Sequence, residues 1–490
     1  MMKKKYFYAA VIVLLFLAAG IRPVRAIEIP GDTSYYDVVD STYILKKDVS
    51  ETIQIMSDVI TLDGGGYTIS GIALGPGVDL SERSGVTIQN LKVTGCGTGI
   101  HLGSSNNCII TGNTVSNNGT NGISLCESSS NTITGNVITG APTSTGIHLY
   151  QYSSGNTVSG NNVSNTGIGI LVSTYSTGNT LTDNTASGND DGISIYMYSD
   201  NNNLTNNNIS YNYWGIYVYN SNNNELTNNS VLDNAGGIWL DWADINTLTG
   251  NNVTVSIANG IYLRYSSYNT LIGNTASNNA DGIKLNNSSN SNTLTGNTVT
   301  GNSANGIYLT GQSNTNTLTD NTISNNDTGI LLLASSNNQI YNNNFIDNAT
   351  QAEVVDGTGN LFNLPAPTGG NYWSDWTGPD NDNDGFVDYP YVFTGGQDNY
   401  PLAPTPEQAI EKLIVDVEAM NLQQGIDNSL DAKLQNALDA LNAANAGQRQ
   451  DAFNKMEAFI NAVEAQRGGK LTNEQADILI AEANYIISLL

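Results

Sequence analysis

A glycine followed by an aliphatic residue recurs twelve times along this chain. The pairs are Gly77-Val78, Gly99-Ile100, Gly122-Ile123, Gly146-Ile147, Gly169-Ile170, Gly192-Ile193, Gly215-Ile216, Gly237-Ile238, Gly260-Ile261, Gly282-Ile283, Gly306-Ile307 and Gly329-Ile330, spaced by 22 to 24 residues. Within a copy the pattern is Gly-Ile-x-Leu, a polar turn, then a stretch such as the Asn-Thr-Leu-Thr-Gly-Asn-Thr-Val-Thr-Gly-Asn of residues 292–302. Apolar and polar residues alternate over runs of three to five, which predicts short strands. Gly, Asn and Thr at almost every third position exclude helix. A unit this small cannot bury its own apolar side, so the copies must stack. Successive coils then pair in register about 4.8 Å apart, with Ile and Leu in columns inside. The expected fold is an all-β right-handed parallel β-helix, its hand following the general rule for parallel crossovers.

An asparagine column keeps the same period: Asn113, Asn136, Asn161, Asn184, Asn207, Asn229, Asn251, Asn274, Asn297, Asn321 and Asn343. Each sits where the chain turns. Asparagine tolerates the left-handed conformation and can bond its counterpart in the next coil, so these residues read as structural. The same composition produces Asn-x-Ser/Thr sequons at Asn118, Asn162, Asn203, Asn208, Asn228, Asn252, Asn326 and Asn348, some open to glycosylation on a secreted chain.

The first 26 residues read as a secretory signal. Lys3 to Lys5 precede the apolar Tyr6–Ala19, which is too short to span a bilayer, and Val24-Arg25-Ala26 offers a cleavage site. No second apolar stretch follows, so no membrane span is expected once the signal is gone. The chain carries a net charge of −27, and loss of the signal leaves 12 basic against 44 acidic residues. Such a surface excludes nucleic acid as a partner. It also disfavours an anionic polysaccharide unless a metal intervenes. Cys96, Cys108 and Cys126 leave one disulfide open, but their different repeat columns favour three buried small residues.

Composition sets the boundaries: signal 1–26, an N-terminal cap with first coils 27–76, repeats 77–344, a C-terminal cap 345–404 and a helical module 405–490. In the module, Thr405-Pro406-Glu407-Gln408 and Thr472-Asn473-Glu474-Gln475 are capping boxes. Ile410, Leu413 and Val417, then Leu430, Leu434 and Leu438, then Phe453, Met456 and Phe459, then Leu479, Ile480 and Ile487 recur at helical spacing. The expectation is a small four-helix bundle.

Two columns point outward on the predicted first sheet. One reads Asp79, His101, Ser124, His148, Leu171, Ser194, Tyr217, Trp239, Tyr262, Lys284, Tyr308 and Leu331. Two residues on, the other includes Tyr150, Tyr196, Tyr219, Asp241, Arg264 and Asn286. Flat aromatics with polar neighbours suit sugar rings, which makes Tyr217, Tyr219, Trp239, Tyr262 and Tyr308 candidate ligand-binding residues. Aromatic residues are also simply good strand formers. Catalysis would need paired carboxylates, or a base with a neutralising cation. Asp241, Arg264 and Lys284 are candidates, with Asp191, Asp244 and Asp281 as further acids. In the cap, Asp380, Asp382 and Asp384 alternate before Gly385, and Asp388 follows. With the Phe386 carbonyl they match a Ca²⁺ loop that lacks the usual bidentate glutamate at its end.

The repeats resemble the β-helix family of carbohydrate-binding proteins and sugar hydrolases, and in particular its periplasmic copper-binding, NosD-type branch. The segment Gly370-Asn371-Tyr372-Trp373-Ser374-Asp375-Trp376, with Asp384-Gly385, Pro390-Tyr391 and Asp398-Asn399-Tyr400-Pro401-Leu402, resembles the ending of such proteins on archaeal surfaces. The likeness covers roughly residues 40–403. It implies fold rather than activity, because this architecture hosts many functions. It also suggests copper, yet His101 and His148 stand two coils apart, about 10 Å, without a soft-ligand cluster. Phe459-Ile460 and Gly469-Lys470-Leu471-Thr472 are similar to the FIMAH domain, which implies an accessory module for attachment. These readings converge on a secreted or cell-surface glycan binder. A polysaccharide lyase, hydrolase or epimerase, and a ligand-free structural rod, are the alternatives.

Overall fold

The computed structural model describes residues 26–490 except Ala73, Thr377, Asn383 and residues 444–447. The expected signal therefore lies outside the described residues, apart from Ala26. The chain divides into two compact units. The first comprises the described residues to Gln339 together with Asn348–Asn360, and the second comprises Ile340–Asp347 and Leu361–Leu490.

The first unit is a right-handed parallel solenoid, and the turns number about 14 at about 23 residues each. Its first sheet has fifteen strands, from Ala26–Ile29 through Thr52–Ile55 and Pro76–Asp79 to Thr350–Val355. The first coils thus fall in the segment read as an N-terminal cap with first coils, which also holds the antiparallel hairpin Tyr36–Val39 with Thr42–Leu45. The register is the predicted one: Ile100 pairs with Ile123, and Ile123 with Ile147, and all three are fully buried. The second sheet contributes Leu181, Leu204, Leu226 and Leu248 to the interior, and the third Val163, Ala186, Ile209 and Val231.

Close approach explains the repeated glycine. A methyl group at Gly99, Gly192, Gly215 or Gly306 would fall under 3.0 Å from the carbonyl oxygen of the equivalent glycine one coil on. None of the four has a positive φ, so space and not backbone conformation demands glycine there. The left-handed positions lie elsewhere. The asparagine column was expected to occupy them, but the positive φ belongs to the residue before each asparagine, for example Gly135 (62°), Gly160 (60°), Asp183 (54°) and Asn206 (55°). The column asparagines point inward and bond one another. Asn136 donates from its backbone and side-chain nitrogens to Asn161 Oδ1, both at 3.0 Å, and from Nδ2 to the Ile110 carbonyl at 2.9 Å. Further columns repeat the device: Asn131, Asn156, Asn179 and Asn202 at another turn, and Asn189, Asn212 and Asn234 at a third. These ladders seal the turns where sheet pairing ends. They also remove three sequons from consideration, because Asn118, Asn326 and Asn348 are buried. Asn162, Asn208, Asn228 and Asn252 are exposed. The three cysteines are free, with Cys96 and Cys108 buried and Cys126 partly so.

In the second unit, four helices are seen among the described residues: α1 (Pro406–Ala419), α2 (Gln424–Asn442), α3 (Gln448–Glu464) and α4 (Asn473–Leu489). Both predicted capping boxes form, at Thr405/Gln408 and Thr472/Gln475. Ile410, Leu413, Leu434, Met456, Phe459 and Leu479 build the core. Among the described residues, no helix is long and apolar enough to cross a membrane. Elsewhere in this unit, Trp373 stacks on both Phe345 and Tyr391, with each ring pair 4.4 Å apart. Its Nε1 donates to Asp398 Oδ2 at 3.0 Å, and Asp398 also accepts from the Asn371 and Tyr400 backbone nitrogens.

Burial pushes the Asp398 carboxyl up to about 6 despite those three donors. Burial likewise raises Glu411, Asp431 and Glu482 in the same unit. A carboxyl raised in the folded state favours the protonated fold. Its contribution is complete below the unfolded value near 4 and disappears as pH climbs through the folded one. The gap at Asp398 corresponds to about 3 kcal/mol. Thermal unfolding followed from pH 4 to 7.5 is expected to show falling stability around pH 6, with a flatter profile for Asp398→Asn. Identical slopes for the two proteins would refute the assignment.

Candidate functional site

The outward residues of the first sheet are the candidates for a site, because the inward ones are fully committed to packing. Ser194, Tyr217, Trp239, Tyr262, Lys284 and Tyr308 stand in one register column, and Tyr196, Tyr219, Asp241, Arg264 and Asn286 in the next. The rings meet edge to face: Tyr196–Tyr217 at 5.4 Å, Tyr217–Trp239 at 6.4 Å and Trp239–Tyr262 at 4.6 Å. Tyr217, Tyr219, Trp239 and Tyr308 are partly exposed. Tyr262 departs from the expectation of an open ring. It is 7% exposed, and its hydroxyl accepts from Asn286 Nδ2 at 2.8 Å, so it serves as a floor beneath its neighbours.

Trp214 was not anticipated. It belongs to a third outward column, three residues before Tyr217, and lies 3.9 Å from Trp239 between centroids. Gly236, its partner one coil on, makes this feasible, since a Cβ there would collide with the Trp214 ring. A second aromatic strip follows the turn that leaves the sheet. Tyr152, Tyr175 and Tyr198 stack with centroids 5.4 and 5.2 Å apart, and Trp242 stacks on Tyr265 at 4.4 Å. All five are exposed and have positive φ, an uncommon place for bulky side chains. The 23-residue spacing of Tyr152, Tyr175 and Tyr198 was the signal available in the sequence.

The charged candidates are engaged in pairs. Asp241, with 1% of its side chain exposed, takes a bidentate grip from Arg264, through Nε at 2.9 Å and through Nη2. The Tyr217 hydroxyl donates to it at 3.1 Å. Its own hydrogen bond to Asp241 raises the Arg264 guanidinium further, and burial, with Asp241 beside it, raises the Tyr217 hydroxyl. Lys284 does not join Asp241. Its Nζ pairs with Asp281 at 2.8 Å and sits 4.4 Å from the Tyr308 ring centre. Asp281 also accepts from Asn305 Nδ2 at 2.7 Å. The structure therefore splits Asp241, Arg264 and Lys284 into two ion pairs on neighbouring coils. Asp191 accepts from Ser194 and Tyr196. Asp244 accepts from the Ser267 backbone nitrogen.

The acidic loop lies in the second unit. Carboxylate oxygens of Asp380, Asp382 and Asp384 lie within 4.8 Å of one another. Asp388 stands apart from them, accepting from the Asn381 backbone and side-chain nitrogens. The Phe386 ring is buried and its nitrogen donates to Asp384 Oδ1 at 2.9 Å. Three hard oxygen donors suit calcium rather than copper.

Copper fares no better elsewhere. His101 bonds Ser124 at 2.8 Å, and His148 bonds Ser173 at 3.0 Å and stacks on Tyr150. Burial takes His148 down to about 4. Among the described residues, no His or Cys joins a metal-sized cluster. The residues present do not fit a copper centre.

The family model described as periplasmic copper-binding protein (NosD) matches residues 182–315 and 236–378. That for a right handed beta helix region matches residues 76–231, and that for the FIMAH domain matches residues 410–488. No curated protein matches the chain. Solved structures of similar fold include the A-module of the mannuronan C-5 epimerase AlgE4 of Azotobacter vinelandii. It has 16% identity over 56% of this chain and 86% of that one, with a TM-score of 0.44. The periplasmic alginate epimerase AlgG has 14% identity over 69% and 83%, with a TM-score of 0.44. The Dettilon tailspike protein (gp208) has 16% identity over 64% and 63%, with a TM-score of 0.41.

Proposed function

We propose that this chain is a secreted or cell-surface protein that binds a glycan along the outward face of its first sheet. The observation that carries the reading is the aromatic cluster of Trp214, Tyr217, Tyr219 and Trp239 over the floor of Tyr262, with Tyr308 farther along the same column. Rings with apolar faces and hydroxyl edges complement sugars, whose C–H faces and hydroxyl rims have the same split character. The pairing of Asp241 with Arg264 and of Lys284 with Asp281 supports binding over proton transfer. A glycan array probed with the full chain tests the reading. Trp239→Ala and Tyr219→Ala are each expected to weaken the best hit by about tenfold or more, a loss of ~1.4 kcal/mol or greater. Wild-type protein that retains no glycan would refute it.

The acidic loop supports a second, separate proposal: Asp380, Asp382 and Asp384 hold Ca²⁺ with the Phe386 carbonyl, while Asp388, engaged with Asn381, stays outside the set. With an affinity in the range of extracellular modules, about 10⁻⁴ to 10⁻³ M, ~10 mM calcium should stabilise the fold by about 1–3 kcal/mol. The rise in Tm is expected to vanish in Asp382→Asn/Asp384→Asn. An equal rise in that variant, or none in the wild type, would dispose of the site.

A further inference from the structure

We infer that the glycan taken by the aromatic face is uncharged, a refinement that rests on the glycan-binding reading above. The sequence between Lys92 and Lys412 contains two cationic side chains, Arg264 and Lys284. Both lie on this face, and both are spent. Arg264 holds the two oxygens of Asp241, and Lys284 holds Asp281 while covering Tyr308. The imidazoles of this sheet supply no charge either, since burial lowers both His101 and His148. No helix occurs among the described residues of the first unit, so no helix N-terminus is aimed at the face.

Consider a polyuronate lying along the coils. It would bring roughly one carboxylate for every coil of about 4.8 Å. Over the five coils from Trp214 to Tyr308, each carboxylate would lose part of its hydration with no free cation to receive it. A bridging divalent ion offers no escape here. Among the described residues the one cluster of three acids is Asp380, Asp382 and Asp384, in the second unit. The background charge of −27 adds long-range repulsion. An uncharged sugar chain meets none of these costs. Its C–H faces can lie on Tyr217, Tyr219 and Trp239, and its hydroxyls can reach the tyrosine hydroxyls and Asn305. The two ion pairs then act as neutral hydrogen-bonding edges, and local charge complementarity is complete without a counter-ion.

The test is affinity electrophoresis of the full chain through gels containing neutral polysaccharides (mannan, xyloglucan, dextran), polyanions (alginate, polygalacturonate) or the polycation chitosan, with EGTA present. Retardation by at least one neutral polymer and by neither polyanion is expected. Asp281→Asn, which releases the Lys284 ammonium, is expected to acquire measurable retardation by alginate, at least threefold above wild type. Asp241→Asn, releasing Arg264, provides an independent second variant, with circular dichroism confirming the β-fold of each. Wild-type retardation by a polyanion, or by chitosan alone, would overturn the inference while leaving glycan binding standing. Failure of both variants to gain alginate binding would overturn the charge argument. Retardation by no polymer would instead remove the glycan-binding reading beneath it.

Discussion

Gly306→Ala is expected to open the solenoid at its eleventh glycine-aliphatic coil or its neighbours, at a cost of about 3 kcal/mol or more from overpacking and a strained ladder bond. The added methyl would sit 2.6 Å from the Gly329 carbonyl oxygen and 2.8 Å from both Asn326 Nδ2 and Ile323 Cγ2. Two of these are difficult to move. The carbonyl belongs to the next coil, and Asn326 is a ladder member bonded to Asn348 Oδ1 at 2.8 Å. Relief therefore has to come from displacing a whole coil. Gly296 supplies the control: it has φ 65° and open space around it. Other coils place Asp183 or Asn206 at the same turn with the same sign of φ, so Gly296→Asn should change stability by no more than about 0.5 kcal/mol. Guanidinium unfolding of the two variants measures the contrast. Equal midpoints would mean that the recurrent glycine serves conformation and not space.

Asn207→Asp, a substitution of a single atom type, is expected to be as damaging. Asn207 Nδ2 donates to the Leu181 carbonyl and to Asn229 Oδ1, each at 2.9 Å, while its Oδ1 accepts from Asn184 at 3.1 and 3.0 Å. Aspartate keeps the acceptor and converts both donations into oxygen–oxygen contacts in a fully buried site. Leaving two acceptors unpaired there costs about 3–5 kcal/mol. The new carboxyl can recover one bond by keeping a proton, so its folded pKa must lie above the unfolded value. Stability is then greatest in acid and declines as pH passes through that raised value. Urea unfolding at pH 5 and pH 8 should show the larger deficit at pH 8. A wild-type midpoint at pH 8 would sink the ladder as a stabilising device.

What the sequence disclosed and what it hid divide along a physical line. The coil period, the Ile register and the Asn113–Asn343 column were legible because each depends on one residue type recurring at one position. The left-handed site was misplaced by one residue, because Gly, Asp and Asn all satisfy it and blur the column. The Asn131 and Asn189 columns were hidden by the abundance of asparagine. The aromatic face was legible as two parallel columns, but the third column, which holds Asp191, Trp214, Gly236 and Asp281, mixes residue types and shows no pattern. For that reason Lys284 was grouped with Asp241 instead of with the acid three residues before it. The stacked Tyr152, Tyr175 and Tyr198 sit past the strand end, where the alternating pattern gives no guidance. The capping boxes of α1 and α4 were readable because they are local.

Each amide in the asparagine columns gives to the coil ahead and accepts from the coil behind, so a column is an arrow with no intrinsic end. In the second unit the arrow runs from Asn343 to Asn371 and halts at Asp398, a group with oxygen to receive and no N–H to pass on. Length in such an architecture is a matter of copy number. A duplicated block of 23 codons could be spliced between existing coils without inventing a single new contact, whereas the stop sign has to be written once and kept.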